Sequence, residues 1–275
     1  MAGRLFPGLA RGGHDRLGGG SRTDRLFSDL HVNRGANQTL YAQRLDRAVA
    51  EINAAHVDLV LLGGDLTENG TAAEARDFKR QIKALQAPVW FIPGNHDVGN
   101  KLLPGGKPGV SFRRVADYEM RLGRSYFARE QSGVRVLGIN SALLGSGLIQ
   151  ENRMNRLLER EFARTNPPPT LILLHHPPFQ QWATEPGGVY WNLEPSPRAD
   201  LLSRAQQANV QAILSGHLHK SLTNTHEGIT LLTAPSVAFG LVKGKPSRGW
   251  YLLTVDGTGF QHEFHPLPDS NEPSR

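Results

Sequence analysis

The sequence contains no cysteine among its 275 residues, which excludes disulfide bonds and thiolate metal ligands. A bound metal must therefore be held by histidine, aspartate, asparagine or glutamate, and these side chains suit manganese, iron or zinc better than softer ions. No apolar run approaches the roughly 18 residues that a membrane span requires. The hydrophobic content of 39% is enough for one sizeable core. We therefore expect a single domain without a membrane span.

The positive charge of the chain is concentrated at its start. The formal net charge is +6, and residues 1–22 contain four arginines and one aspartate. This segment is rich in glycine and lacks the continuous apolar stretch of a secretory signal. We interpret residues 1–22 as a flexible extension and expect a cytoplasmic protein. The remainder shows no extended basic surface, so nucleic acid is not an expected partner.

Apolar periodicity predicts alternating strands and helices in the first part of the chain. Apolar residues recur at i, i+3, i+4 and i+7 in an expected helix at 39–55. A second helix is expected at 71–86, with Ala75, Phe78, Ile82 and Leu85 on one face. Strands are expected at 25–28, 57–62 and 88–92. This βαβαβ order is typical of an α/β sheet with crossover helices. The first strand is the weakest, because Leu26 and Phe27 are its only apolar residues.

Strands dominate the second part of the chain. Helices are expected at 111–122, 151–163 and 198–208. Strands are expected at 126–128, 134–140, 170–174, 210–215, 221–225, 229–233, 249–255 and 260–264. Ser132-Gly133 between the first two of these strands is a hairpin signal. The late strands suggest a second or mixed sheet. Because no linker is visible, we expect one domain over residues 23–268, followed by a tail at 269–275.

Five apolar strands are each followed at once by side chains that can bind a metal. In chain order these side chains are Asp29 and His31, Asp65, Asn95 and His96, His175 and His176, and His217 and His219. Ligand sites of open α/β sheets lie at the carboxyl ends of the strands, so these side chains are expected at one rim. A lone histidine at a strand end is more often a hydrogen-bonded loop residue. Isolated loop residues of this kind do not explain why five strands all end in ligand-type residues. The set of five junctions therefore predicts a metal site.

These motifs resemble, in their order, those of the calcineurin-like metallophosphoesterase superfamily. They read Asp-x-His, Gly-Asp, Gly-Asn-His-Asp, His-His-Pro and Gly-His-x-His. The resemblance runs from about residue 27 to residue 265. It implies an α/β fold, a four-layer αββα sandwich of two mixed β-sheets flanked by helices. It also implies a dinuclear metal site at the sheet edge, so that residues 23–268 form a metallophosphoesterase domain.

The resemblance also implies a role for each of these residues. Two metal ions, of manganese, iron or zinc, would each be held by three residues and by a shared carboxylate. The unshared ligands are Asp29, His31 and His219 for the first ion, and Asn95, His175 and His217 for the second. Asp65 resembles the bridging carboxylate. His96 resembles the family's non-ligand histidine, which contacts the phosphate or protonates the leaving group. We therefore assign catalytic roles to Asp65 and His96.

Two positions refine what the resemblance implies about the metal site. Family members often read His-x-Pro where this chain has His175-His176-Pro177, so His175 is the expected ligand and His176 lies behind it. Purple acid phosphatases place a tyrosine three residues after the bridging aspartate. Glu68 stands there in this chain, so a tyrosinate–iron chromophore is not expected.

The expected ligands favour an anionic substrate. Four imidazoles, one amide and two carboxylates leave a pair of metal ions strongly electropositive, which suits a phosphoester. Two metals about 3.5–4 Å apart can hold a hydroxide and the phosphate oxygens of an in-line displacement. We therefore expect a metal-dependent phosphoesterase that uses a metal-bridging hydroxide. Phosphomonoesters are the leading substrate class, and phosphoproteins are included in it.

Finer motifs resemble the calcineurin-like phosphoesterase-domain serine/threonine phosphatases of animals and their bacterial relatives. These motifs are the segments 94–100, 138–141, 190–193 and 215–217. Phosphodiesterases for cyclic nucleotides or glycerophosphodiesters share the main motifs and stay open as an alternative. A non-catalytic, partner-binding scaffold is a third alternative, although such relatives usually lose ligands.

The segment 179–197 follows His175 and is irregular and aromatic. It contains Trp182, Tyr190 and Trp191. Loops beside a site often form a wall of the substrate pocket, and we expect this one to shape substrate choice. The other interpretation is that these aromatic side chains anchor the loop to the core.

Overall fold

The computed structural model describes residues 22–103, 105, 109–241, 248–256 and 259–268. The expected flexible extension lies outside these residues except for Arg22, and the expected tail 269–275 lies outside them entirely. Within the described part of the chain, no helix is both long enough and apolar enough to cross a membrane.

Strands and helices alternate through the first half of the chain, as the apolar periodicity predicts. The strands are β1 (Arg22–Phe27), β2 (Leu59–Leu62), β3 (Val89–Phe91), β4 (Phe127–Gln131), β5 (Val134–Gly138), β6 (Thr170–Leu173), β7 (Val210–Ser215), β8 (Leu222–His226), β9 (Ile229–Thr233), β10 (Gly249–Asp256) and β11 (Gly259–Pro266). The helices are α1 (Gln38–Ala54), α2 (Ala72–Ile82), α3 (Asn95–Val98), α4 (Phe112–Leu122), α5 (Ile149–Phe162) and α6 (Pro195–Gln207). A short 3-10 turn covers Ser141–Leu143.

The strands form two sheets, and both are mixed. The first, five-stranded sheet has the order β11-β10-β1-β2-β3, with β1, β2 and β3 parallel and β10 antiparallel to β1. The second, six-stranded sheet has the order β4-β5-β6-β7-β9-β8, with a parallel centre and antiparallel β4 and β8 at its edges. The expected pair of mixed sheets is confirmed.

Apolar side chains on both faces of each sheet create the four layers. Leu61 of β2 and Leu173 of β6 belong to a buried cluster between the two sheets. Leu62 packs instead in a second cluster with the helical residues Ile52 and Phe78. Successive strand residues point to opposite faces, so neighbouring leucines serve different layers. The helices therefore cover the outer faces of the sandwich.

The first strand is longer than its sequence indicates. It begins at Arg22 rather than at residue 25, and it pairs with β10 on one side and with β2 on the other. Asp24 and Arg25 are buried in this central strand, and the Arg25 guanidinium lies 4.8 Å from the ring centre of Trp250. Pairing with a strand from the far end of the chain thus outweighs the polar composition.

One turn has a more regular structure than expected, one expected hairpin is present, and one helix is shorter than expected. The Asn95–Val98 segment forms a single helical turn. The Ser132-Gly133 hairpin is confirmed, with φ of 51° and 77° at its two central residues, as a tight type I′ turn requires. The helix expected at 71–86 ends at Ile82.

Candidate metal centre

The carboxyl ends of β1, β2, β3, β6 and β7 meet at one edge of the sandwich. The loops after β1 and β2 are joined by backbone hydrogen bonds from Asp29 to Gly64 and from His31 to Asp65, each 3.0 Å long. The loops after β6 and β7 are joined by a 3.1 Å bond from the Gly216 N–H to the His175 carbonyl. The strand ends of both sheets thus deliver their polar side chains to a common rim.

Two glycines allow the loops to approach this closely. A Cβ atom on Gly216 would lie 1.9 Å from Oγ of Ser28, and one on Gly94 would lie 2.1 Å from Oδ1 of Asp65. Real Cβ atoms do not approach other atoms so closely. Any larger residue would therefore push the loops after β3 and β7 away from the rim.

A first group of metal-binding side chains contains Asp29, His31, Asp65 and His219, whose ligand atoms lie within 4.8 Å of one another. Nε2 of His219 is 3.2 Å from Oδ1 of Asp29 and 3.2 Å from Nε2 of His31. All four residues are buried. The structure thus brings together the three residues expected at the first ion and the expected bridging carboxylate.

A second group contains Asp65, His175 and His217, again within 4.8 Å. Nε2 of His175 lies 3.3 Å from Oδ2 of Asp65 and 3.0 Å from Oδ1 of Asn95, so the Asn95 amide joins this group. Asp65 belongs to both groups. A carboxylate shared by two neighbouring donor sets has the position that a bridging ligand requires.

The histidines present lone pairs to the centre of these groups. In each of the four histidines, the ring nitrogen that points away from the centre lies 2.7–3.2 Å from an oxygen that only accepts hydrogen bonds. The outward contacts are His31 to the Glu68 carboxylate, His175 to the Gly63 carbonyl, His217 to the Tyr190 carbonyl and His219 to the Phe239 carbonyl. The outward nitrogen must carry the hydrogen, which in a neutral ring leaves the inward nitrogen as an acceptor. Metal-binding histidines show this arrangement almost always.

The inward lone pairs of these histidines and the carboxylate oxygens of Asp29 and Asp65 repel one another unless a positive charge lies between them. Burial alone would raise the pKa of Asp65, but the adjacent His175 holds that pKa well below its usual range. Burial alone would lower the pKa of His175, but Asp65 and Asp29 raise it to about 9. The His217 imidazole differs, because burial and the neighbouring His175 lower its pKa to about 3. The donor set therefore fits cations and holds protons on some of its histidines when metal is absent.

His96 lies at the rim of the first group. Its Nδ1 is 2.8 Å from the Glu68 carbonyl, and its ring packs edge-on against His31 with 4.7 Å between ring centres. Because Nδ1 donates to this carbonyl, Nε2 is left for other contacts. One third of the side chain is exposed, so a substrate can reach it.

His176 lies behind the second group. Its Nδ1 is 2.9 Å from Oγ of Ser141 and its Nε2 is 2.9 Å from Oδ1 of Asn100. Both ring nitrogens are thus engaged by protein atoms. The structure groups the ligand atoms of His175, and not those of His176, with Asp65 and His217. The His176 ring packs against the His217 ring, with 4.4 Å between ring centres.

Asp97 is a supporting residue to which sequence reasoning gave no role. Its buried carboxylate accepts hydrogen bonds from Leu66 N, Thr67 N, Thr67 Oγ1 and Gly94 N at 2.6–3.0 Å. These bonds tie the loop that carries Asp65 to the loop that carries Asn95 and His96. Burial and the nearby Asp65 raise the pKa of Asp97 to about 6. The sequence signal for this supporting role is the position of an acidic residue directly after His96.

Several residues of the centre have a left-handed backbone conformation that is unusual for residues other than glycine. These residues are Asp29 (φ 54°), His31 (φ 47°), Asp65 (φ 47°), His217 (φ 71°) and His219 (φ 50°). Strained backbone of this kind clusters at functional sites, where the surrounding structure holds it in place.

The aromatic segment lies beside the second group. Trp182 and Trp191 are exposed, so these two side chains are not core anchors. Phe179 and Leu193 are buried and attach the segment to the protein. The Tyr190 ring packs against His217, with 4.6 Å between ring centres.

Sequence relatives include phosphatases and phosphodiesterases. The chain is 30% identical over 183 residues to the probable glycerophosphodiester phosphodiesterase GpdQ of Arcobacter nitrofigilis, covering 65% of this chain and 63% of that protein. It is 26% identical to the serine/threonine-protein phosphatase CPPED1 of Danio rerio, covering 78% of this chain and 70% of that protein. It is 28% identical to the 3′,5′-cyclic adenosine monophosphate phosphodiesterase CpdA of Escherichia coli (strain K12), covering 78% and 76%.

Solved structures show the same fold at low sequence identity. A dimetal phosphatase from Danio rerio has a TM-score of 0.58 at 12% identity, covering 90% of this chain and 99% of that one. Purple acid phosphatase PPD1 from yellow lupin has a TM-score of 0.63 at 15% identity, covering 92% and 53%. The family model described as Calcineurin-like phosphoesterase matches residues 26–221. The chain therefore belongs to the calcineurin-like phosphoesterase family, whose members are metal-dependent hydrolases with a dinuclear centre.

Proposed function

We propose that the chain hydrolyses phosphomonoesters, with phosphorylated proteins among the candidate substrates, at two metal ions of manganese, iron or zinc. The observation that carries the proposal is the position of Asp65, whose carboxylate belongs to two adjacent groups of ligand atoms. Phosphomonoesters are favoured by the similarity to the phosphatase CPPED1 of Danio rerio, which covers 78% of the chain. The cytoplasmic location expected from the sequence belongs to the same proposal.

In the proposed site, Asp29, His31 and His219 would hold the first ion, and Asn95, His175 and His217 would hold the second. The bound ions would supply an activated water nucleophile and positive charge for the phosphoryl oxygens. Hydrogen bonds to Glu68, Gly63, Tyr190 and Phe239 fix the orientation of the four imidazoles.

His96 is the proposed proton donor. Its Nδ1–H is held by the Glu68 carbonyl, so a second proton on the ring resides on Nε2. An imidazolium at this rim can donate that proton to the departing oxygen of the substrate. General acid help of this kind is typically worth about 10²–10⁴-fold in rate.

Phosphodiester hydrolysis is the second candidate function. It is favoured by the similarity to a glycerophosphodiester phosphodiesterase and to a cyclic nucleotide phosphodiesterase. The same donor groups could hold two ions for either class of ester. A non-catalytic scaffold is disfavoured, because the side chains of all seven expected ligands converge at one rim.

A hydrolysis panel with added Mn²⁺ tests the proposal. It compares nitrophenyl phosphate and a phosphoserine peptide with bis-nitrophenyl phosphate, cyclic AMP and glycerophosphocholine. The proposal predicts a higher kcat/KM for the monoesters, and the Asp65→Asn variant is the matched control. Preference for a diester by tenfold or more would establish the second candidate. Absence of hydrolysis from a protein that binds two Mn²⁺ ions would contradict both candidates.

A further inference from the structure

Tyr190 of the aromatic segment forms hydrogen bonds with two residues of the second group. The Asn95 amide nitrogen, Nδ2, donates a 3.0 Å hydrogen bond to the Tyr190 phenol oxygen. Nε2 of His217 donates a 3.2 Å hydrogen bond to the Tyr190 carbonyl oxygen. One residue therefore touches two of the ligands proposed for the second ion, in addition to packing its ring against His217.

The Asn95 amide lies between the phenol and the metal centre, with Nδ2 toward the phenol and Oδ1 toward the centre. An amide has a donor end and an acceptor end, and only the oxygen can bind a cation. Because Nδ2 is held by the phenol, Oδ1 points to Nε2 of His175 at 3.0 Å. With the amide reversed, its NH₂ group would face the ion.

The contact with the carbonyl decides which nitrogen of His217 is available. A backbone carbonyl only accepts, so Nε2 must carry the ring hydrogen. Nδ1 is then the acceptor that joins Asp65 and His175. This contact uses the backbone of Tyr190, and it survives a change of the side chain.

An ion pair between a buried lysine and a partly buried glutamate holds the backbone directly before Tyr190. Lys101 is buried, and its ammonium group donates to the Val189 carbonyl at 2.8 Å and pairs with Glu194. Glu194 also accepts a 2.9 Å bond from Gly188 N. These contacts fix the backbone of Gly188 and Val189, directly before Tyr190.

We propose that Tyr190 is a positioning residue whose phenol orients Asn95 toward the second metal ion. The inference rests on the proposed function, because it takes Asn95 as a ligand. It gives the aromatic segment a role in assembling the metal centre in addition to any contact with substrate.

The test is a Mn²⁺ titration of the metal-free protein and of Tyr190→Phe, which removes one oxygen and keeps the ring. Loss of a hydrogen bond to a metal ligand typically costs about 10–100-fold in affinity. We expect one of two Mn²⁺ equivalents to weaken by about tenfold and the other to keep its affinity. Excess Mn²⁺ should restore kcat. Tyr41→Phe is the matched control, since the Tyr41 phenol also accepts from an asparagine, Asn37, outside the centre.

A double-mutant cycle with Asn95→Ala shows whether Tyr190 acts through Asn95. The phenol should have no effect on Mn²⁺ affinity once the amide is absent, so the two losses should not add. Unchanged affinity in Tyr190→Phe, or fully additive losses in the double variant, would overturn the inference alone. Binding of two ions without hydrolysis would overturn the proposed function alone. Binding of fewer than two ions by the unsubstituted protein would overturn both.

Discussion

The backbone N–H of His96 donates a 2.9 Å hydrogen bond to Oδ1 of Asp65. The other carboxylate oxygen, Oδ2, lies 3.3 Å from His175. The peptide that carries His96 is thus fixed to the proposed bridging carboxylate independently of the imidazole. Removal of the imidazole should therefore leave Asp65 in position.

His96→Ala should keep both metal ions and lose rate. The loss should reach about 10²–10⁴-fold for alkyl or seryl phosphates, whose leaving groups need a proton. It should be smaller for nitrophenyl phosphate, because nitrophenolate leaves without one. Steady-state rates on both substrates, with metal analysis of the same preparation, provide the measurement. Equal losses on both substrates would assign His96 to phosphate binding, and loss of metal would make it a ligand.

Asp65→Asn should lose at least one metal ion and most activity. The amide keeps the volume and can still accept from the His96 N–H, but it lacks the charge that two ions share. Metal content after reconstitution should fall from two ions per chain to one or none. Near-normal rates in this variant would refute the bridging role.

Glu68→Ala should weaken the first ion. The Glu68 carboxylate accepts a 2.7 Å hydrogen bond from Nδ1 of His31, and loss of such a bond typically costs about 10–100-fold in metal affinity. Glu68→Gln keeps a hydrogen-bond acceptor, so its Mn²⁺ affinity should lie between those of Glu68→Ala and the unsubstituted protein. The control is Glu74→Gln, which changes the α2 capping box without touching His31. A titration in which all variants bind two Mn²⁺ ions equally would remove Glu68 from the site.

Metal affinity should rise with pH up to about pH 9 and then level off. In the metal-free centre the pKa of His175 is raised to about 9, and that of His219 is raised by the carboxylate of Asp29 against the effect of burial. Below these values the imidazoles hold protons that an incoming ion must displace. Mn²⁺ titrations between pH 6 and pH 9 measure this competition. Affinity that is constant over the range would show that neither imidazole binds metal.

The exposed tryptophans of the aromatic segment should affect substrate choice more than metal binding. Trp182→Ala and Trp191→Ala remove large side chains that are 55% and 42% exposed. We expect a changed ranking of kcat/KM across the ester panel and an unchanged Mn²⁺ titration. An unchanged ranking would mean that these side chains do not contact the substrate.

The sequence predicted which side chains converge at the rim better than it predicted the residues that support them. Each junction combines an apolar strand with polar residues directly after it, and such local patterns are visible without a structure. The start of β1 was missed because it depends on pairing between Arg22 and Val255, at opposite ends of the chain. The contact of His217 with the Tyr190 carbonyl was not predictable, because every residue carries the same carbonyl.

The left-handed backbone at the centre has a consequence for protein engineering. Each such residue costs of order 1–3 kcal/mol relative to a relaxed conformation. Glycine adopts this conformation without that cost, so replacing Asp29, His31 or His219 by glycine would relieve strain while removing a donor. Stability and activity therefore conflict at these positions. A library selected for thermal resistance alone, in the presence of a chelator, should lose its donors here first.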